Sequence, residues 1–235
     1  MKKLYIFSYG LHPGQVTLET LAAMRECGEV YSHCLDKAAA RQFAAFAPRL
    51  KLTPGLNLRE SARAAVGGLK KHDTVGFLTY GNPLFLNRTV PELAKAAAAA
   101  GAGTKVFAAV SSFDGLVNMF NLNKFSPAGL RVADTAALLY GPVFTPGMDT
   151  LFFVPYVLNL PGNEGARADF AAGLRAAYPP SAPVYLAQYG SVSEQSRAIK
   201  GSAGRITPLL NRLNERHTIF IPAARTRAKK KAARG

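Results

Sequence analysis

Between residues 3 and 110, short apolar runs alternate with segments whose apolar residues recur every three or four positions, and that alternation leaves few folds open. Residues 3–8 (Lys-Leu-Tyr-Ile-Phe-Ser) read as a buried strand that runs into the turn-rich Tyr9-Gly10-Leu11-His12-Pro13-Gly14. A helix is expected from Thr17, its N-cap, with Leu18, Leu21 and Ala22 on one stripe, and residues 29–33 form the next strand. The same order continues with a helix over 58–70, a strand over 73–79, an alanine-rich helix over 90–100 and a strand over 104–110. Strands alternating with helices imply a parallel sheet covered on both faces, so the expected class is α/β.

Beyond Ser111 the texture changes. Residues 149–156, 183–189 and 217–222 are apolar strands, but Pro142, Pro146, Pro161, Pro179 and Pro180 break up the connections, which points to a mixed sheet. A length of 235 residues suits two lobes, expected over 1–112 and 113–224 with a hinge near 111–118. Of the net charge of +15, six positive charges lie in residues 225–235, leaving +9 for residues 1–224. The tail reads as a disordered, solvated end, and nucleic acid is not the expected partner.

No run reaches the roughly 18 apolar residues of a membrane span, and the start lacks a signal-like core, so a cytoplasmic location without membrane contact is expected. Cys27 and Cys34 read as free buried thiols, and no metal-ligand spacing includes them.

One strand ends with particular abruptness, in Phe77-Leu78-Thr79-Tyr80-Gly81-Asn82-Pro83. Ligands of open α/β sheets bind outside the carboxyl ends of strands, and glycine there lets bare backbone approach a small molecule. The first loop is weaker alone, since Gly10-Leu11-His12-Pro13-Gly14 lacks the full dinucleotide fingerprint.

In order, these segments resemble the tetrapyrrole methylase family, the class III methyltransferases that use S-adenosylmethionine. The family's opening strand and glycine loop correspond to residues 7–14, its Leu-Thr-x-x-Ala segment to 16–21, its Ala-Asp-x-Val to Cys27-Gly28-Glu29-Val30, and its Gly-Asp-Pro loop to Gly81-Asn82-Pro83. Its Pro-Gly-hydrophobic-Ser-Ser turn corresponds to residues 108–112, and its later strands to 150–154, 183–187 and 218–221. The resemblance spans residues 4–222 and implies two α/β lobes, a cofactor cleft between them and a homodimer.

Two departures bear on the substrate: Asn82 replaces the aspartate, and Ala108-Ala109 replaces the Pro-Gly. Tyr80-Gly81-Asn82-Pro83 is more similar to the Tyr-Gly-His-Pro loop of borosin-type peptide backbone N-methyltransferases, although residues 53–63 lack the tyrosines of that branch. The favoured acceptor is therefore a peptide backbone amide, within a partner class of peptides or other small anionic substrates. The alternatives are carbon methylation of a tetrapyrrole intermediate, or a non-catalytic cofactor-binding protein that uses its basic tail on a partner.

The resemblance places the cofactor against Tyr80, Gly81, Asn82, Phe85, Leu86, Ser111, Ser112, Pro155 and Ala187. Ser112 is also a candidate helix N-cap. An amide acceptor must lose a proton and have its imidate stabilised, for which Tyr80, His12 and Tyr189 are the candidate groups. Arg59 could orient a substrate carbonyl, against the plainer reading of a solvated residue at a helix start.

Overall fold

The computed structural model describes residues 1–53, 55–87, 89–124, 126–140, 144–190 and 195–224. The expected tail, 225–235, lies outside them. The chain divides into two compact units between Gly115 and Leu116, and no helix among the described residues is long and apolar enough to cross a membrane.

The N-terminal unit is built on β1 (Lys2–Ser8), β2 (Glu29–Ser32), β3 (Leu50–Leu52), β4 (Thr74–Thr79) and β5 (Ala102–Val106), all parallel, in the order β3-β2-β4-β1-β5. Alternate residues of β1 serve opposite faces. Leu4 and Ile6 pack with Val75 and Phe77 under α3 (Leu58–Gly68) and α4 (Thr89–Ala99). Tyr5 and Phe7 pack with Val30 and Leu78 under α1 (Leu18–Glu26) and α2 (Lys37–Arg41). Burying side chains of this size stabilises the unit by about 1.5–3 kcal/mol each, and a strand covered on both faces needs the continuous apolar run that this chain supplies.

Local signals set the helix starts. Thr17 caps α1, accepting from the backbone N–H of Thr20 at 3.1 Å. Asn57 and Glu60 form a reciprocal capping box on α3. The strand expected over 104–110 instead runs from Ala102 to Val106, and Phe107 leaves it to pack its buried ring against Tyr5 and Phe7.

At the amino-terminal edge of this sheet, the buried Glu29 carboxylate meets Lys51 Nζ at 2.5 Å, accepts from the Tyr31 hydroxyl at 2.5 Å and lies 3.4 Å from His72 Nε2. Hydrogen bonds from Lys51 and then Tyr31 outweigh burial and hold the acid down from its ordinary value near 4.5 to about 2. A depressed carboxylate contributes its stabilisation above pH 4.5 and loses it as pH falls through 2. Glu29→Gln should therefore flatten the acid limb: between pH 5 and pH 2 the wild type is expected to lose about 1–2 kcal/mol more than the variant, after allowance for the solvent around Lys51. Urea-unfolding midpoints against pH measure that difference.

The C-terminal unit carries β6 (Leu130–Asp134), β7 (Asp149–Phe153), β8 (Pro183–Gln188), β9 (Arg197–Ser202) and β10 (Thr218–Ile221), in the order β6-β7-β10-β8-β9. β6 and β7 are parallel and the other neighbours antiparallel, so β6, β7 and β8 run in one direction, in a mixed sheet. Its core sets Phe152, Leu186 and Ile219 against Phe170 and Leu174 of α6 (Glu164–Ala177), with the rings of Phe152 and Phe170 4.9 Å apart. Near Ala182 and Thr207, a 3-10 turn (Ala203–Arg205) and α7 (Thr207–Leu210) close the same core.

Candidate functional site

The connections of β1 and β4, which lie side by side, leave on opposite faces: β1 leads to α1 and β4 to α4. Such a switch opens a crevice at the carboxyl ends of the two strands. The first loop is fixed from within. The backbone N–H of Gly10 donates to buried Ser8 Oγ at 3.0 Å, and that of Leu11 donates to Gln15 Oε1 at 2.7 Å. Gly81 N–H then donates to Gly10 carbonyl oxygen at 2.8 Å, tying the β1 and β4 loops together.

Both glycines are left-handed, Gly10 with φ +73° and Gly81 with φ +63°. Their surroundings differ. A Cβ on Gly10 would stand 2.8 Å from Gln15, whereas a Cβ on Gly81 would meet nothing within 4 Å. The open side of Gly81 thus fits a ligand laid on bare backbone.

Asn82 shapes the same loop. Its Oδ1 accepts from Leu84 N–H at 3.0 Å and its carbonyl oxygen accepts from Phe85 N–H at 3.0 Å. An aspartate oxygen could make the same turn, so the exchange of aspartate for asparagine leaves the loop's shape alone and removes its charge. Phe85 sets its ring 6.3 Å from that of Phe113. Leu86, two-fifths or more exposed, is held at φ +54°, an uncommon backbone state for a residue with a side chain. Tyr80, 58% exposed, stands directly before Gly81.

After β5 the chain enters α5 (Ser112–Met119). Ser111, not Ser112, is the cap: its Oγ accepts from Phe113 N–H at 3.2 Å, while Asp114 Oδ2 accepts from Ser111 N–H at 2.7 Å and from its hydroxyl at 2.8 Å. Ser112 is the first helical residue. The sequence reading misplaced the cap by one position because Ser111 and Ser112 are both competent caps, and only Ser111 has Asp114 three residues ahead.

His12 is exposed in the β1 loop, at the start of a 3-10 turn (Pro13–Gln15), and its side chain makes no capping bond. Tyr9, buried beside it in sequence, has its phenol pushed well above the ordinary range by burial and by Cys34, and stays protonated. His33, past the end of β2, stacks on Phe77 at 6.0 Å, and burial lowers its pKa. Arg59 does not join these loops. It sits in the first turn of α3, after the edge strand β3, and pairs with Glu92 of α4 at 3.2 Å on the surface.

In the C-terminal unit, Pro155 and Ala187 are buried at the carboxyl ends of β7 and β8, and Tyr189 is half-buried one residue past β8. Before Pro155, Val154 is held at φ +56°, a strained state for a β-branched residue, and so ends the strand expected to reach 156. Leu86 and Val154 thus flank or occupy cofactor positions implied by the resemblance, and their backbone states leave no mark in the sequence. The structure gathers Tyr80, Gly81, Asn82, Phe85, Leu86, His12, Ser111 and Ser112 at the ends of three adjacent strands of one unit. Pro155, Ala187 and Tyr189 share an edge of the other.

A family model described as Tetrapyrrole (Corrin/Porphyrin) Methylases matches residues 3–124, more than half of the chain. No curated protein matches the sequence. Among solved structures, the chain is similar to the methyltransferase CobJ, at 16% identity over 97% of this chain and 96% of that one, with a TM-score of 0.67. It is likewise similar to the cobalt precorrin-4 methyltransferase CbiF, at 13% identity over 94% and 95% of the two chains, TM-score 0.67. A third is uroporphyrin-III C-methyltransferase from Thermus thermophilus complexed with S-adenosylhomocysteine, at 17% identity over 94% and 98%, TM-score 0.65.

Proposed function

The chain belongs to the tetrapyrrole methylase family and is a methyltransferase that draws on S-adenosylmethionine, and we propose that its acceptor is a ring carbon of an anionic tetrapyrrole intermediate. The observation that carries this reading is the family match, supported by fold likeness over almost the whole chain to enzymes named for uroporphyrin and precorrin substrates. The +9 charge of residues 1–224 suits an acceptor edged with carboxylates.

When bound, S-adenosylmethionine supplies a methyl group on a positively charged sulfur, already activated for transfer. The groups of the N-terminal unit assigned to hold it are the backbone of Gly81, Phe85 and Leu86 and the capped turn at Ser111 and Ser112. An electron-rich pyrrole carbon brings its own nucleophile. The protein's part is then to orient the acceptor and keep water out.

A second reading, methylation of a peptide backbone amide, is favoured by one observation: the exposed Tyr80 phenol beside the open Gly81 backbone could stabilise an imidate. Tyr80→Phe separates the two. With a tetrapyrrole acceptor the turnover rate should stay within roughly threefold of wild type, whereas an amide acceptor that relies on the phenol should lose about 10²–10⁴-fold. Incubating the protein with labelled S-adenosylmethionine and either a reduced uroporphyrin-type substrate or candidate peptides tests the main reading. Label in the tetrapyrrole supports it, and label only in peptide overturns it.

A further inference from the structure

The edge of the C-terminal sheet holds a polar row that the methyl-transfer reading leaves unused. The antiparallel register pairs Thr218 with Ala187 and Gln188 with Arg197, so His217, the residue before β10, continues the row beside Gln188. Residues opposite one another across a sheet point to the same face. Imidazole, carboxamide and guanidinium therefore stand side by side across three strands.

The two inner members are fixed. Gln188 is 2% exposed and His217 is 5% exposed. His217 Nδ1 accepts from Asn214 N–H at 3.1 Å, and burial, with Arg197 and Arg212 next in effect, lowers the pKa of its ring and favours the neutral form. Arg197 is exposed and donates from Nη2 to Gln188 Oε1 at 3.0 Å.

Among the described residues, Arg197 has no acidic counter-charge. The ion pairs among the described residues are Lys51–Glu29, His72–Glu29, Arg59–Glu92 and Lys105–Glu19, all in the N-terminal unit. An arginine anchored by a carboxylate has spent its charge locally. One anchored by a buried neutral amide keeps its full charge and the remaining N–H groups of a rigid fork, which matches a carboxylate in two-point geometry. Gln188 directly follows Ala187 at the carboxyl end of β8, the edge that also carries Val154 and Pro155.

We propose that Arg197, positioned by Gln188, is a carboxylate-binding residue for the acceptor substrate. This rests on the anionic-tetrapyrrole reading above. The amino-acid carboxylate of S-adenosylmethionine offers the same chemistry, so the test must tell the two sources apart.

The full chain, as wild type, Arg197→Met and Arg197→Lys, is titrated with uroporphyrin, followed by its fluorescence, and with S-adenosylhomocysteine, followed by calorimetry. The expected result is a loss of uroporphyrin affinity of about tenfold or more in Arg197→Met, in line with a hydrogen bond to a charged group. Arg197→Lys should recover part of it, because charge returns without the fork. S-adenosylhomocysteine affinity and the unfolding midpoint should be unchanged in both variants.

Uroporphyrin affinity equal to wild type in Arg197→Met overturns the proposal while leaving the tetrapyrrole reading in place. A loss confined to S-adenosylhomocysteine assigns the carboxylate to the cofactor and also overturns it. A wild type that binds S-adenosylhomocysteine but no uroporphyrin removes the tetrapyrrole reading, and this proposal with it.

Discussion

Replacing Gly81 with valine is expected to lower S-adenosylhomocysteine affinity by about a hundredfold or more, roughly 2.7 kcal/mol, with only a modest fall in thermal stability. Two features of the site separate these effects. The backbone at Gly81 has φ +63°, and a left-handed state costs a residue with a Cβ about 1–2 kcal/mol. Nothing stands within 4 Å of the added Cβ, so no internal clash increases that cost. For a protein of this size, 1 kcal/mol shifts the unfolding midpoint by about 2–4 °C.

The valine methyls instead fill the space through which a ligand must approach the bare backbone. Calorimetry and thermal scans on the same samples give both numbers. Retained affinity would mean that the cofactor does not lie on Gly81. Gly10→Ala is the contrasting case: there the new Cβ would press on Gln15 at 2.8 Å, so loop geometry changes first and affinity falls along with stability.

The largest stability loss is expected at Gly76, in the middle of β4 between β2 and β1. A Cβ there would lie 2.5 Å from Cζ of the fully buried Phe7, 3.1 Å from Val30 and 3.2 Å from Cys27 Sγ. Neither Phe7 nor Val30 can swing into solvent. Phe7 is wedged against Phe107, and Val30 is held in the neighbouring strand. Overpacking of a filled core costs about 1–3 kcal/mol and occasionally more, and the poor fit at Phe7 puts Gly76→Ala at about 3 kcal/mol. The midpoint should then fall by roughly 6–12 °C. Pairing it with Phe7→Leu gives a decisive control. If the clash with the ring is the cause, the double variant should lose less than the two single losses added together.

How much of this was readable from residue order depends on where each element lies. β1 and β4 sit in the middle of a sheet covered on both faces, and their unbroken apolar runs announce them. β3, β6 and β9 are edge strands that are half in solvent, and Leu-Lys-Leu or Arg-Ala-Ile-Lys-Gly-Ser carries no comparable signal. In α6, Phe170, Ala171 and Leu174 recur at helical spacing, but the proline-rich flanks carry the stronger local signal and read as loops.

The site divides in the same way. Gly81, Asn82 and Pro83 punctuate the sequence and mark their own turn. The left-handed states of Leu86 and Val154 are imposed by tertiary structure on residues that do not favour them. Gln188, Arg197 and His217 become neighbours only through strand register, and β9 carries no apolar run to announce it. Arg59 shows the reverse case, a candidate chosen from sequence that the fold commits to Glu92.

The turn at Asn82 has a consequence for how such a site can diverge. Because one side-chain oxygen sets the loop, and both asparagine and aspartate own that oxygen, this position works as a charge dial on a fixed mount. A lineage could reset the electrical character of the loop in one substitution while every backbone hydrogen bond stays where it was. Gly81, where any Cβ meets a left-handed backbone and stands in the ligand's approach, has much less latitude. Two adjacent residues of one loop thus lie at opposite ends of evolvability, one holding the shape constant while the other is free to tune what that shape attracts.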